Sequence, residues 1–365
     1  MKQQRTTPKA KRPVAVGTGL IALDAVVSAD RSLAVRYWAG GTCGNVLIAL
    51  KYLGWTAQPI ARLAADAATE LVLSDLRRWG VSKRYVRIDA DGATPVIVER
   101  ITRDASGRVS HSFSWRCETC GARYPNYKPE LSSVAEALAP RMRNVSVFFF
   151  DRASPAALVL ARAAIEAGAV VMFEPSGIGN PILFGQAWEL SHIVKYSHER
   201  LSEFPDIDRE NGPRLIIETL GQAGLRYRWR RASAQFGAWS KLKAIAVTDV
   251  KDTAGSGDWC TVGILARLGA TGYAGFSRAT DHQVRNAIQY GQALAAWNCR
   301  FEGARGGMYS VTRRQFHDQI SELLSGNKNV VPLPAEQVIS PADRSVICRV
   351  CELSGSSRKT AQKKA

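Results

Sequence analysis

The residues best placed to do chemistry are Asp252-Thr253-Ala254-Gly255-Ser256-Gly257-Asp258, which run into the apolar segment Trp259 to Leu268. Gly255 and Gly257 permit a tight turn and let a ligand approach the backbone, because glycine tolerates positive φ. After them Val262, Leu265, Ala266 and Leu268 fall at helical spacing and can share one face. A glycine turn that opens a helix leaves backbone N–H groups unpaired at the positive end of the helix dipole, which suits a phosphate. Asp258 at the helix mouth can accept a proton from a hydroxyl as that oxygen attacks the bound phosphate. A simple helix cap would also account for one Asp-Gly pair, but two aspartates framing Gly-Ser-Gly point to chemistry. The sequence has neither the Gly-x-x-x-x-Gly-Lys-Ser/Thr motif of P-loop proteins nor the motifs of protein kinases.

A second glycine turn, Gly40-Gly41-Thr42-Cys43-Gly44-Asn45, leads into Val46 to Leu53 and stops at Gly54, which reads as a turn, a helix and a glycine cap. This turn and the 252–258 heptad, in this order, resemble the hallmarks of the ribokinase-like family of carbohydrate and nucleoside kinases. The heptad matches Asp-Thr-x-Gly-Ala-Gly-Asp with Ser256 in place of Ala. The resemblance implies that Gly255, Ser256 and Gly257 form an anion hole and that Asp258 is the catalytic base. It gives Gly40, Gly41 and Asn45 contacts with the acceptor and makes Asp24 the acidic residue that binds its hydroxyls. Thr219-Leu220-Gly221-Gln222-Ala223-Gly224 looks like the family's Thr-x-Gly-x-x-Gly turn, so Thr219, Gly221 and Gly224, with Asp252, fall on the nucleotide side. A plain β-hairpin explains that turn equally well. ATP and magnesium follow from the resemblance, and a potassium ion near Asp252 and residues 303–306 is admitted by it.

Three positions depart from the family pattern. At Ser197-His198-Glu199-Arg200, Arg200 stands where the family has the Glu of Asn-x-x-Glu; it could pair with phosphate directly, with Glu199 reaching a metal through water. Glu174-Pro175-Ser176 replaces the Asp-x-Asn of many sugar kinases, and alanines follow Asp66 where a glycine is usual.

At 365 residues, 46% of them hydrophobic, the chain suits one large α/β unit with a minor appendage. Strands are expected at Val14–Leu23 (ending near Asp24), Gln58–Leu63, Tyr85–Ile88, Val145–Asp151, Val170–Glu174, His192–Lys195, Leu215–Thr219 and Ile245–Thr248, with helices between them. Later helices are expected at His282–Cys299 and Arg313–Leu324. Such alternation predicts a doubly wound, mainly parallel sheet flanked by helices. The charged extended pieces at 26–38 and 94–116, the latter folded at Asp104-Ala105-Ser106-Gly107, predict a small β lid. The expected organisation is a basic tail at 1–12, a kinase domain at 13–329 with a Cys-containing insertion at about 115–130, and an extension at 330–365.

The formal charge of +17 includes five positives at 1–12 and four at 356–365, neither stretch holding an acid, which leaves +8 for the body. The tails read as solvated basic arms that could touch nucleic acid. With no apolar leader at the start and no run long enough to span a bilayer, a cytoplasmic protein without membrane contact is expected. Of seven cysteines, Cys117-x-x-Cys120 and Cys348-x-x-Cys351 have the spacing of zinc ligands, and together they would supply the four thiolates of a structural site; two unrelated reduced pairs are the alternative. Cys43, Cys260 and Cys299 lie in or beside apolar helices and read as packing residues. The five histidines show no ligand spacing and read as surface or capping residues. The expected activity is phosphoryl transfer from ATP to a small sugar. The alternatives are a nucleoside acceptor, with Tyr37 and Trp38 as an aromatic clamp, or a catalytically silent regulator associated with nucleic acid; a homodimer is admitted.

Overall fold

Val147-Phe148-Phe149-Phe150 has no polar side chain to turn toward water, so a strand there needs cover on both faces. A computed structural model of the chain, describing residues 12–30, 32–105, 109–201, 212–231, 235–326, 347–348 and 351, provides that cover. The strands in chain order are β1 Val14–Thr18, β2 Ala22–Val27, β3 Arg36–Gly40, β4 Thr56–Leu63, β5 Tyr85–Ile88, β6 Val96–Arg103 and β7 Val109–Ser114. They continue as β8 Val147–Phe150, β9 Val170–Phe173, β10 Ile193–Ser197, β11 Leu215–Thr219, β12 Leu225–Trp229 and β13 Ser240–Leu242. The α-helices are α1 Thr42–Tyr52, α2 Ala67–Arg78, α3 Ser132–Leu138, α4 Pro155–Glu166 and α5 Pro181–Glu189. The remaining helices are α6 Ser256–Leu268, α7 Gly272–Phe276, α8 Asp281–Asn298, α9 Gly306–Ser310 and α10 Arg313–Ser325.

Nine strands form the main sheet in the order β13-β12-β11-β10-β9-β8-β1-β4-β5. Neighbours from β11 to β5 are parallel, and β12 and β13 close the edge antiparallel. Side chains alternate between its faces as a pleat requires. Phe149, Met172, Ile193 and Ile217 join the core under α1, α6, α8 and α10. Phe148, Phe150, Val171, Phe173, Val194 and Ile216 join the one under α3, α4 and α5. The doubly wound α/β fold is therefore present. The lid expected from the charged segments matches a separate sheet, β3-β2-β6-β7, with β2 and β6 parallel and the outer pairs antiparallel. Part of its expected turn, Ser106 and Gly107, lies outside the described residues, as do residues 1–11, 356–365 and most of 330–355.

Two strand expectations need correction. Val14–Leu23 is not one strand. Gly19, at φ +140, turns the chain between β1 in the main sheet and β2 in the small one, and a Cβ on it would lie 1.7 Å from the Asp151 carboxylate. Ile245–Thr248 forms no strand: Ile245 and Val247 pack on the core, but their backbone runs past β13 with no ladder partner. Helix α6 crosses α8 at two glycines so closely that a Cβ on Gly263 would sit 2.4 Å from Gly291 Cα. Trp259 of α6 packs edge-on against Trp297 of α8, which meets Phe316 of α10 in the same way. Gly263→Leu is therefore expected to destabilise the fold by about 1–3 kcal/mol or more through overpacking, measurable by urea denaturation.

Candidate active site

In an open parallel sheet the carboxyl ends of the strands face a crevice where the strand order reverses. Here that edge carries Asp151 after β8, Glu174 after β9, and Lys195 and Ser197 on β10. Asp151 is buried; it accepts a bond from Leu20 N–H at 2.9 Å and pairs with Arg152. Burial pushes its carboxyl up to about 6 against the pull of Arg152, with Glu174 adding to the rise. The Glu174 carboxylate binds both Lys195 Nζ and Thr261 Oγ1.

The heptad does open a helix. Gly255 caps α6 at φ +70, in the left-handed region, and a Cβ there would lie 2.3 Å from Ala304 O, so glycine is required twice over. Ser256 N–H turns back to Thr253 O at 3.2 Å, while the N–H groups of Gly257 and Asp258 have no backbone acceptor among the described residues. Lys195 Nζ lies 3.7 Å from where a Gly257 Cβ would be. Asp258 Oδ2 accepts a bond from Asn45 Nδ2 at 2.8 Å. Burial and the Glu174 charge push Asp258 up to about 7, opposed by Asn45, Lys195 and Arg200. A carboxylate that titrates near neutrality is suited to act as a general base.

The residues on the expected acceptor side also meet. Gly41 caps α1 at φ +74 and its N–H donates to Asp24. A Cβ on Gly40 would lie 1.9 Å from Asp24 Oδ2, so the bare glycine makes room for that carboxylate. Burial raises Asp24 to about 7, opposed by Arg305. Asn45 sits one turn into α1, and its Oδ1 accepts from Arg305 Nε at 3.0 Å, which turns its amide nitrogen toward Asp258. Arg305, 1% exposed, also donates to Asp75 Oδ2 at 2.9 Å and to Ala39 O; the Asp75 carboxylate takes a further bond from Tyr309 Oη at 2.8 Å. Sequence reasoning gave no side-chain role to Asp75, Lys195, Arg305 or Tyr309. An Asp within α2 and an Arg among the glycines at 303–307 were the available signal.

On the nucleotide side, Thr219, Gly221 and Gly224 form the tight turn between antiparallel β11 and β12, with Gly221 at φ +56 and Gly224 at φ +95. Thr219 lies in register with Ser197 on the neighbouring parallel strand, so this turn shares the strand-end edge with Lys195. Arg200 is exposed, and its charge reaches Asp258. The Asp252 carboxylate accepts from Gly303 N–H at 2.7 Å and Ala254 N–H at 3.0 Å, with His111 Nδ1 of the small sheet 3.1 Å away. Buried Glu99 of β6 adjoins this group, and burial and the Asp252 charge push its carboxyl far up, while Asp252 itself stays low.

Two histidines correct the surface reading. His111 belongs to the Asp252 group, and His192 stacks on Tyr273 at 4.4 Å, where burial and Arg214 lower it to about 4. Trp38 stacks on Tyr309 at 4.4 Å, which commits one of its faces to packing. Cys43 and Cys260 are buried packing residues as expected, while Cys117, Cys120, Cys348 and Cys351 bring their sulfurs together in a group of their own.

Comparison with known proteins places this geometry. No family model matches the chain. Aminoimidazole riboside kinase of Salmonella typhimurium is 26% identical over 315 residues, covering 79% of this chain and 88% of that protein. The solved aminoimidazole riboside kinase from Salmonella enterica, complexed with aminoimidazole riboside and an ATP analogue, superposes with a TM-score of 0.58 at 21% identity, over 85% of this chain and 99% of that one. The chain has the ribokinase-like fold. The Arabidopsis thaliana ribokinase complexed with ribose and ATP has a TM-score of 0.58 at 17% identity, over 86% of this chain and 99% of its own. A Burkholderia thailandensis nucleoside kinase in complex with inosine has a TM-score of 0.56 at 19% identity, covering 85% and 98%. At these identities the structural likenesses establish the ribokinase-like fold. Among the described residues no helix is long and apolar enough to cross a membrane.

Two outcomes follow from the site itself. Arg305→Met strands the buried Asp75 carboxylate and frees the Asn45 amide, with an expected loss of about 3–5 kcal/mol in chemical denaturation. Asp258, at about 7 in the fold against an ordinary 3.8, favours the native state only while protonated. That contribution is full below about pH 4 and is lost as pH rises through 7. Asp258→Asn, which keeps the acceptor for Asn45, is therefore expected to raise Tm at pH 8 and to leave it near wild type at pH 3.5.

Proposed function

We propose that the chain transfers the γ-phosphoryl group of ATP to a hydroxyl of a small sugar. The observation that carries this reading is Asp258, poised near neutrality at the mouth of α6 and held there by Asn45. The acceptor hydroxyl gives its proton to the Asp258 carboxylate as its oxygen attacks the γ-phosphorus, and the bond from that phosphorus to the β–γ bridging oxygen breaks to release ADP. The N–H groups of Gly257 and Asp258, with the Gly255–Gly257 turn shaping the anion hole and Lys195 and Arg200 nearby, stabilise charge on the transferred group. Asp24 accepts hydrogen bonds from the acceptor's other hydroxyls, and Gly40 and Gly41 let the sugar approach the backbone. The nucleotide lies along Thr219, Gly221 and Gly224. Asp252 fixes the heptad against the loop at Gly303 rather than touching substrate.

The strand ends also fit magnesium. Glu174 raises both Asp151 and Asp258, and Arg152, Lys195 and Arg200 oppose that rise, so the carboxylates at this edge favour a nearby cation. Glu174 would hold magnesium here, and the ion would supply neutralisation of the nucleotide phosphates' charge.

A riboside acceptor is the second reading, and the observation favouring it is the 26% identity to a riboside kinase. The silent-regulator reading has no use for a carboxylate raised to about 7 at a helix mouth. ATP turnover with magnesium across a panel of free sugars and ribosides tests the proposal and separates the two acceptors. Asp258→Asn is expected to lower kcat by about 10²–10⁴, and the wild-type rate is expected to fall as pH drops below about 7. A panel without acceptor-dependent turnover would overturn the kinase reading.

A further inference from the structure

We propose that Cys117, Cys120, Cys348 and Cys351 bind one zinc ion in a closed tetrathiolate site that clasps the C-terminal segment to the foot of the lid. The two Cys-x-x-Cys pairs are far apart in sequence, yet Cys117 Sγ lies 3.8 Å from Cys351 Sγ and Cys120 Sγ 3.6 Å from Cys348 Sγ. All four sulfurs fall within 4.8 Å of one another, and all four cysteines are free thiols. Four sulfurs at about 2.3 Å from a central zinc stand about 3.8 Å apart at the corners of a tetrahedron, so the cluster has the size of the ion's shell.

The first pair is built for this role. Arg116 and Arg123 form a β-bridge that closes a loop, inside which Cys117 N–H donates to Ala122 O at 2.8 Å and Gly121 N–H to Cys117 O at 2.9 Å. Gly121, at φ +73, takes the turn that aims both sulfurs the same way. The N–H groups of Thr119 and Cys120 donate to Cys117 Sγ, the outer-shell support that a metal-bound thiolate receives. Four soft ligands with no histidine or carboxylate among them select zinc over magnesium and leave no open position, so the site is structural.

Its place in the fold sets the consequence. Cys117 follows β7 directly, and Tyr124 donates to its sulfur. Tyr37 of β3 also lies close enough to feel its charge. One ion would therefore bind the C-terminal segment to the chain just after β7, an edge strand of the sheet that carries Asp24, independently of whether the crevice transfers phosphate.

The test uses the full chain purified without added metal. Elemental analysis is expected to find one zinc per chain, and cobalt substitution to give the intense visible bands of a tetrahedral thiolate site. Cys348→Ser/Cys351→Ser is expected to abolish metal binding, while Cys120→His, which supplies another zinc ligand, retains it. Chelation of the wild-type chain is expected to speed hydrogen exchange across residues 109–124. Zinc absent from the wild-type chain, zinc retained by the double variant, or disulfides joining Cys117 to Cys351 or Cys120 to Cys348 in the native chain would each overturn the proposal. The cobalt spectrum of the wild-type chain decides the matter even if the double variant does not fold.

Discussion

A guanidinium that is 1% exposed must find its acceptors inside the protein, and Arg305 finds them on three different elements. It joins Asp75 of α2, the carbonyl of Ala39 in β3 and the amide of Asn45 in α1, while its own loop packs Ala304 against the Gly255 turn. None of these partners touches Asp258 except Asn45, yet all determine where Asn45 points. Buried charge of this kind gives geometry more than net stability. It lets a small sheet, two helices and the mouth of α6 share one fixed arrangement, with Tyr309 closing the remaining side of Asp75.

Around this frame the strand ends gather carboxylates that would be more stable apart. Asp24, Asp151 and Asp258 are each held above their ordinary range, chiefly by burial. A fold keeps such groups where a ligand's positive charge or a moving proton relieves them. The lid takes part in the arrangement. His111 and Glu99, both from the small sheet, meet Asp252 of the heptad, so the sheet that carries Asp24 also touches the loop that shapes the anion hole.

The local signals carried the sequence reading a long way. Strand-helix alternation located the parallel sheet, and the two glycine turns located the mouths of α1 and α6 because only glycine satisfies their φ values and close contacts. Two Cys-x-x-Cys pairs were enough to expect that the sulfurs would meet. Long-range partners were hidden. Nothing near Asp75 or Arg305 in the chain names the other, since their pairing exists only once α2 and the 303–305 loop are side by side. The break at Gly19 was signalled only by the glycines around Thr18, because the carboxylate that requires a bare Cα there belongs to Asp151. Strand β12, Leu-Arg-Tyr-Arg-Trp, lies next to the edge strand β13 and alternates but carries charges. The apolar Ile245–Thr248 looked more like a strand, although it lacks a partner.

The seating of β1 also bears on how the chain comes into being. The strand lies between β4 and β8, and Val14 N–H donates to Ser146 Oγ across 132 residues. At a ribosomal rate of about 5–20 residues per second, the partner on that side emerges roughly ten seconds after β1 does. Through that interval an apolar strand destined for the middle of the sheet has one edge open to whatever strand arrives first. Native pairing of β1 with β8 therefore waits until Val147–Phe150 has been made, and the nascent chain needs protection from mispairing until β8 appears.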